Sequence, residues 1–142
     1  MATIGFFALA VFGLGALSVV TDRDIIDVPG LGQIPGVSGM VAAVVVFALA
    51  LWATVRRGTA SFGSAPVIGL LTALVHLAVV WVAVLVATSD LVVATAVAGD
   101  LVRGGASLVI LAAAAVAAWG GIALRRTKGE RPRWPWERDE DG

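Results

Sequence analysis

The sequence predicts an all-α integral membrane protein: a four-helix bundle of two transmembrane helical hairpins, with both termini in the cytoplasm. Two observations lead to this prediction. Of the 142 residues, 59% are hydrophobic and only 14% are charged, whereas soluble domains carry about 25% charged residues. The charged residues are also confined to short clusters, and the long apolar runs between these clusters suit a lipid bilayer.

Four apolar runs are long enough to cross a bilayer. A helix rises about 1.5 Å per residue, so a hydrocarbon core of about 30 Å needs roughly 20 residues. None of the runs contains Asp, Glu, Lys or Arg, and in hydrocarbon a helix satisfies its own backbone hydrogen bonds. We expect the first run to be retained, because it lacks the basic start of a signal peptide. The predicted spans cover about residues 3–20, 38–55, 66–87 and 104–124.

The orientation follows from the Lys and Arg residues that flank the spans. The loops of residues 21–37 and 88–103 hold one basic residue each, and we expect them outside. Arg56 and Arg57 follow the second span, and five basic residues follow the fourth, between Arg125 and Arg133. We therefore expect a transmembrane domain of residues 1–126 in the plasma membrane, with both ends cytoplasmic.

The apolar stretch of residues 91–99 is too short to cross a bilayer. It is framed by Asp90 and Asp100. We interpret it as a helix at the outer interface or as a continuation of the third span. A re-entrant segment is a third option, which needs protein around it.

The first outer loop is acidic, with Asp22, Asp24 and Asp27 close together. Carboxylates are ligands for Ca²⁺, but the later ligands and the central glycine of a calcium loop do not follow at the right spacing. We expect a solvated loop without metal. The Pro35-Gly36 dipeptide before the second span indicates a turn.

The tail of residues 127–142 begins basic and ends acidic, and we expect it to be disordered in the cytoplasm. Trp134 and Trp136 lie between prolines and arginines. Tryptophan favours the headgroup region, and nearby arginines attract anionic lipid, so this stretch is predicted to anchor the tail. An extended docking peptide for a cytoplasmic partner is the alternative.

His76 is the only histidine and falls near the middle of the third span, with Thr72 one turn earlier on the same face. An ionisable group at that depth is a candidate functional site. A proton or ion path needs a second polar group at similar depth, and Ser18, Thr54 and Ser107 fall near span ends. We therefore favour a neutral, structural His76.

A stripe of small residues recurs at multiples of four along the fourth span, and such stripes let helices approach closely in lipid. We predict helix packing through this stripe, which consists of Gly105, Ala113, Ala117 and Gly121.

The sequence argues against several classes of function. The net charge is zero, so we expect no nucleic-acid partner. There is no cysteine, no phosphate-binding glycine loop and no cluster of metal ligands. We expect no cofactor and no enzyme activity.

The stretch from Val19 to Pro29 leads into a glycine-rich start of the second span. With the four-span layout, this stretch resembles uncharacterised small four-span membrane proteins of high-GC Gram-positive bacteria, a family of unknown function. The resemblance implies no activity. Small multidrug-resistance exporters also have four spans, but they carry a glutamate in the first helix that this chain lacks.

The leading functional expectation is an accessory or scaffold subunit that binds the bilayer and other membrane proteins or a second copy of itself. The alternative is a minimal oligomeric transporter or channel in which His76 from several copies lines the path.

Overall fold

The computed structural model describes residues 1–21, 32–56 and 62–128, and all regular secondary structure in these ranges is helical. Four of the five helices are long and apolar enough to cross a membrane. These findings confirm the all-α class and the number of helices of spanning length, and they add a fifth, shorter helix. The helices are α1 (Ala2–Thr21), α2 (Ile34–Arg56), α3 (Ser64–Thr88), α4 (Leu91–Arg103) and α5 (Ala106–Lys128).

Two helices begin earlier than their predicted spans, and in both cases a proline lies in the first turn. Pro35 belongs to α2, which starts at Ile34, and Pro66 belongs to α3, which starts at Ser64. A proline is tolerated there because the amide hydrogen it lacks would have no partner within the helix. The prediction of a turn at Pro35-Gly36 is therefore wrong.

A sharp break after Thr88 separates α4 from α3. Ser89 adopts a left-handed conformation with φ of 54°, and its N–H donates to the carbonyl of Leu85 at 2.8 Å. Asp90 then caps α4, because its Oδ1 accepts from the N–H groups of Val92 at 2.7 Å and Val93 at 3.2 Å. A continuous third helix through residues 91–99 is thus excluded, and α4 is a helix of its own.

The short helix α4 folds back along the C-terminal half of α3. Its buried residues Ala94, Val97 and Leu101 share one hydrophobic cluster with Val80 and Val84 of α3. A side-chain hydrogen bond also joins the two helices, since the indole N–H of Trp81 donates to the hydroxyl of Thr95 at 3.3 Å. α4 therefore packs on the bundle through one face.

Helix α3 holds the centre of the arrangement and packs against α2, α5 and α4. The first helix packs mainly on α5 and touches α2 only slightly. This differs from the predicted pair of hairpins, because α1 and α2 follow each other in sequence without being the closest neighbours in space.

The largest buried cluster joins α1, α2, α3 and α5. Phe6 and Phe47 are both fully buried, and their rings stack with centroids 4.6 Å apart. Most other members are alanine, whose small side chain permits close helix contacts. The outward faces carry large apolar side chains that the rest of the described chain leaves uncovered, among them Phe12 with 76% of its surface exposed.

Candidate polar site around His76

His76 is buried inside a single copy of the chain, with 5% of its surface exposed. The ring edge formed by Cδ2 and Nε2 faces Gly39 of α2, because a Cβ atom added to Gly39 would lie 3.2 Å from each of these atoms. The same Cβ would lie 2.5 Å from Cγ2 of Val80. Glycine at this position therefore lets the backbone of α2 approach the imidazole.

Thr72, the second predicted polar residue, is fully buried one turn before His76. Its hydroxyl donates to the carbonyl of Ile68 at 2.8 Å, within α3. Four other hydroxyl groups of the helices behave in the same way: Thr21, Thr54 and Thr88 donate to the carbonyl four residues earlier, and Ser38 to the one three residues earlier. Most of these protons are thus engaged by the helix that carries them.

Two buried polar atoms have no hydrogen-bond partner within the described residues: Nδ1 of His76 and Oγ of Ser107. Covalent geometry places Nδ1 on the side of the ring away from the edge that faces Gly39. Ser107 lies in the first turn of α5. The two atoms are therefore the unsatisfied polar groups that the structure shows in the interior.

The register between α3 and α5 brings His76 and Ser107 to a similar depth. A Cβ on Gly69 would lie 2.9 Å from the carbonyl oxygen of Leu111 and 3.2 Å from Cβ of Ala115. The helices α3 and α5 run antiparallel. Measured along the axis of α5, Ser107 lies about 9 Å from the middle of the contact with Gly69. His76 lies about 10 Å along α3 in the same direction.

The antiparallel direction of α3 and α5 is confirmed by a second contact at the other end. The rings of Phe62 and Trp119 have centroids 6.0 Å apart. Ser107 lies near the end of its span, as the sequence predicts, because it is in the first turn of α5. That end of α5 lies beside the middle of α3 rather than at its end, which brings Ser107 to the level of His76.

The predicted packing stripe is divided by the start of α5. Gly105 precedes the helix with a φ of 86°, a left-handed conformation that favours glycine, so it lies outside the helical part of the stripe. Ala113 and Ala117 lie in the largest buried cluster. Gly121 makes a close contact, since an added Cβ would lie 2.9 Å from Cβ of Ala2 and 3.3 Å from Cδ2 of Leu51.

The roles of two residues are not predicted from the sequence. Asp90 marks a boundary of the apolar stretch, but an aspartate directly before an apolar run is also a signal for a helix cap. Gly13 of α1 packs on α5, where an added Cβ would lie 2.6 Å from Cγ1 of Val109. No periodic pattern marks Gly13, because glycine and alanine are frequent throughout the chain.

Several predicted features lie outside the described residues. They are the acidic loop residues Asp22, Asp24 and Asp27 and the tail with Trp134 and Trp136. An aromatic and basic pair does occur at the end of α2, where the guanidinium of Arg56 lies 4.7 Å from the ring centroid of Trp52. Within the part of the chain that the structure describes, no group of three or more potential metal ligands comes together.

The fold and this interior site define a helical protein with four helices suited to a membrane and a small buried polar site. The whole chain, residues 1–142, matches a family described as of unknown function (DUF6121), and the protein belongs to that family. This agrees with the resemblance to an uncharacterised family. No curated protein matches the chain, and no solved structure matches it.

Proposed function

We propose that the protein is a non-enzymatic accessory or scaffold subunit of a membrane complex, crossing the plasma membrane of a bacterium four times. The observation that carries this proposal is the separation of polar and apolar groups. In the long helices, Thr54 and Thr72 donate to carbonyls of their own helix and His76 is buried, while the outward faces carry large apolar side chains. Such a surface offers contact area to lipid and to other transmembrane helices.

The burial of His76 supports this function over transport. A path shared by several copies needs His76 on the surface where copies meet, but its ring is 95% covered by the helices of one chain. A path through one copy needs polar groups that a passing solute can use. The hydroxyl of Thr72 donates to its own helix, which makes it a poor donor for a solute.

The proposed orientation has the N and C termini in the cytoplasm. Arg56 and Arg125 are exposed at the ends of α2 and α5, and basic residues accumulate on the cytoplasmic side. Trp52 and Trp119 lie near the same ends and are more than half exposed, as is common for tryptophan at a membrane interface. In this orientation the turn between α3 and α4 lies on the outer side, and α4 folds back from it along α3.

The outward face of α1 is the proposed contact for a partner helix. α1 has only two fully covered residues, Phe6 and Ala10. On its outward side, a Cβ added to Gly5 or Gly15 would meet nothing within 4 Å. Small residues on an uncovered helix face allow another transmembrane helix to approach closely.

The proposal is tested by purifying a tagged copy from its native membrane in mild detergent and quantifying the proteins that remain bound. We expect one membrane protein at a fixed ratio, and a loss of at least several-fold when Gly15→Leu fills the outward face of α1. Gly120→Leu is the matched control, since an added Cβ there also meets nothing within 4 Å, and it leaves recovery unchanged.

Two outcomes contradict the proposal. One is purification of the chain without any partner at a fixed ratio. The other is an ion or solute flux in proteoliposomes that His76→Leu abolishes while the protein stays folded, which would establish the transporter or channel instead.

A further inference from the structure

We propose that His76 and Ser107 bind one buried water molecule between them, which ties α3 to the first turn of α5. This site is independent of the accessory role, because it lies inside one copy of the chain. The inference starts from the two unpartnered atoms, Nδ1 of His76 and Oγ of Ser107. It continues from their similar depth on helices that pack against each other.

The two groups are chemically complementary to a water molecule. A neutral imidazole has one nitrogen that donates and one that accepts, and a serine hydroxyl can do both. Water supplies two donors and two acceptors, so it serves either tautomer of His76. In an apolar helix bundle a polar atom without a partner is unfavourable, and bulk water cannot reach a site enclosed by protein and lipid.

The first turn of α5 adds further partners. The opening amide groups of a helix have no carbonyl partner within it, and Ser107 lies among them. A buried water typically makes about three hydrogen bonds, which the imidazole, the hydroxyl and one such amide provide. An isolated helix start would not identify a site. Here it lies at the depth of a histidine side chain that is 95% buried.

Small residues lie next to His76 and Ser107. Gly39 faces one edge of the imidazole ring. Ala73 lies one turn from His76 on α3, and Ala106 precedes Ser107, and both are buried.

The experiment uses His76 as a spectroscopic probe, since the chain contains a single histidine. The full-length protein with ¹⁵N-labelled histidine is reconstituted in lipid and studied by solid-state NMR. We expect Ser107→Ala to shift the Nδ1 resonance by more than its linewidth. In the unmodified protein we also expect magnetisation transfer from water to the imidazole. Ser107→Ala should remove or strongly reduce this transfer.

Ser38→Ala is the matched control, because the hydroxyl of Ser38 donates to the carbonyl of Pro35 within α2 at 3.0 Å. It should leave unchanged both the Nδ1 resonance and the magnetisation transfer from water to the imidazole. An unchanged Nδ1 resonance in Ser107→Ala overturns the shared site. A shifted resonance without any water transfer in the unmodified protein overturns the bound water and indicates a direct bond between the two side chains.

Discussion

The two halves of the bundle are held together in different ways. The half that faces the cytoplasm in the proposed orientation, the inner half around Phe6, Gly69 and Gly121, consists of continuous helices that approach through glycine and alanine. The outer half, around His76, Ser107 and α4, contains the two breaks between α3, α4 and α5. It also contains the two unpartnered buried polar atoms. Close backbone packing suffices where the helices are continuous. Where they break, side-chain hydrogen bonds must satisfy the exposed backbone groups.

The capping of α4 illustrates how hydrogen bonds satisfy the helix ends in the outer half. Asp90 satisfies the amide groups of Val92 and Val93, and Trp81 adds a bond to Thr95. At the other end of α4, the N–H of Gly104 donates to the carbonyl of Asp100 at 2.7 Å. We therefore expect substitutions in the inner half to act through packing and those in the outer half to act through lost hydrogen bonds.

The largest effect is expected from removing an aromatic ring in the inner half. Phe6→Ala deletes a fully buried ring that stacks on Phe47, and we expect a loss of about 3 kcal/mol in the free energy of unfolding. Phe12→Ala is the control on the same helix, because Phe12 is 76% exposed, and it should change the value by less than about 0.5 kcal/mol. Unfolding by SDS in mixed micelles measures both. Equal losses would contradict the assignment of inward and outward faces.

A single methyl group should give the next largest effect. In Gly69→Ala the new Cβ would lie 2.9 Å from the backbone oxygen of Leu111, so α3 and α5 must separate. We expect a loss of about 1–3 kcal/mol. Gly120→Ala adds the same group where nothing lies within 4 Å, and it should be neutral or slightly stabilising. If the same unfolding measurement shows no difference between the two variants, the close contact of Gly69 with the backbone of α5 is contradicted.

The smallest effect is expected at the cap of α4 in the outer half. Asp90→Ala removes the acceptor for two amide groups and should cost about 1 kcal/mol. It should also speed hydrogen exchange at Val92 and Val93. Asp100→Ala is the control, since Asp100 is exposed in the same helix. The assignment of Asp90 as the cap is contradicted if Asp100→Ala also speeds exchange at Val92 and Val93. It is equally contradicted if neither variant speeds it.

The length and composition of the apolar runs were enough to predict the helices of spanning length, because a single run of about 20 apolar residues can satisfy its own backbone in hydrocarbon as a helix. Helix partners were not predictable. Close contacts depend on glycine at particular positions such as Gly13, and small residues are too frequent here for one position to stand out. The prediction of paired hairpins therefore missed the packing of α1 on α5.

The polar site was only half predictable. His76 is conspicuous as the single histidine in an apolar span. Ser107 was dismissed because a position near the end of a run was equated with a position near the membrane surface. That assumption fails here because α5 begins beside the middle of α3. The predicted packing stripe included Gly105 for a related reason. A spacing of multiples of four can be counted past the start of a helix, although the residues there are no longer helical.

The central claim is that four helices cross a bilayer with both ends in the cytoplasm. Single-cysteine labelling in intact cells tests it most directly, because the chain has no cysteine of its own. An impermeant reagent should label Asp24→Cys and Leu91→Cys, while Ser61→Cys and Glu137→Cys should react only after the cells are opened. Labelling of Ser61→Cys or Glu137→Cys in intact cells, or of all four positions alike, would contradict the claim.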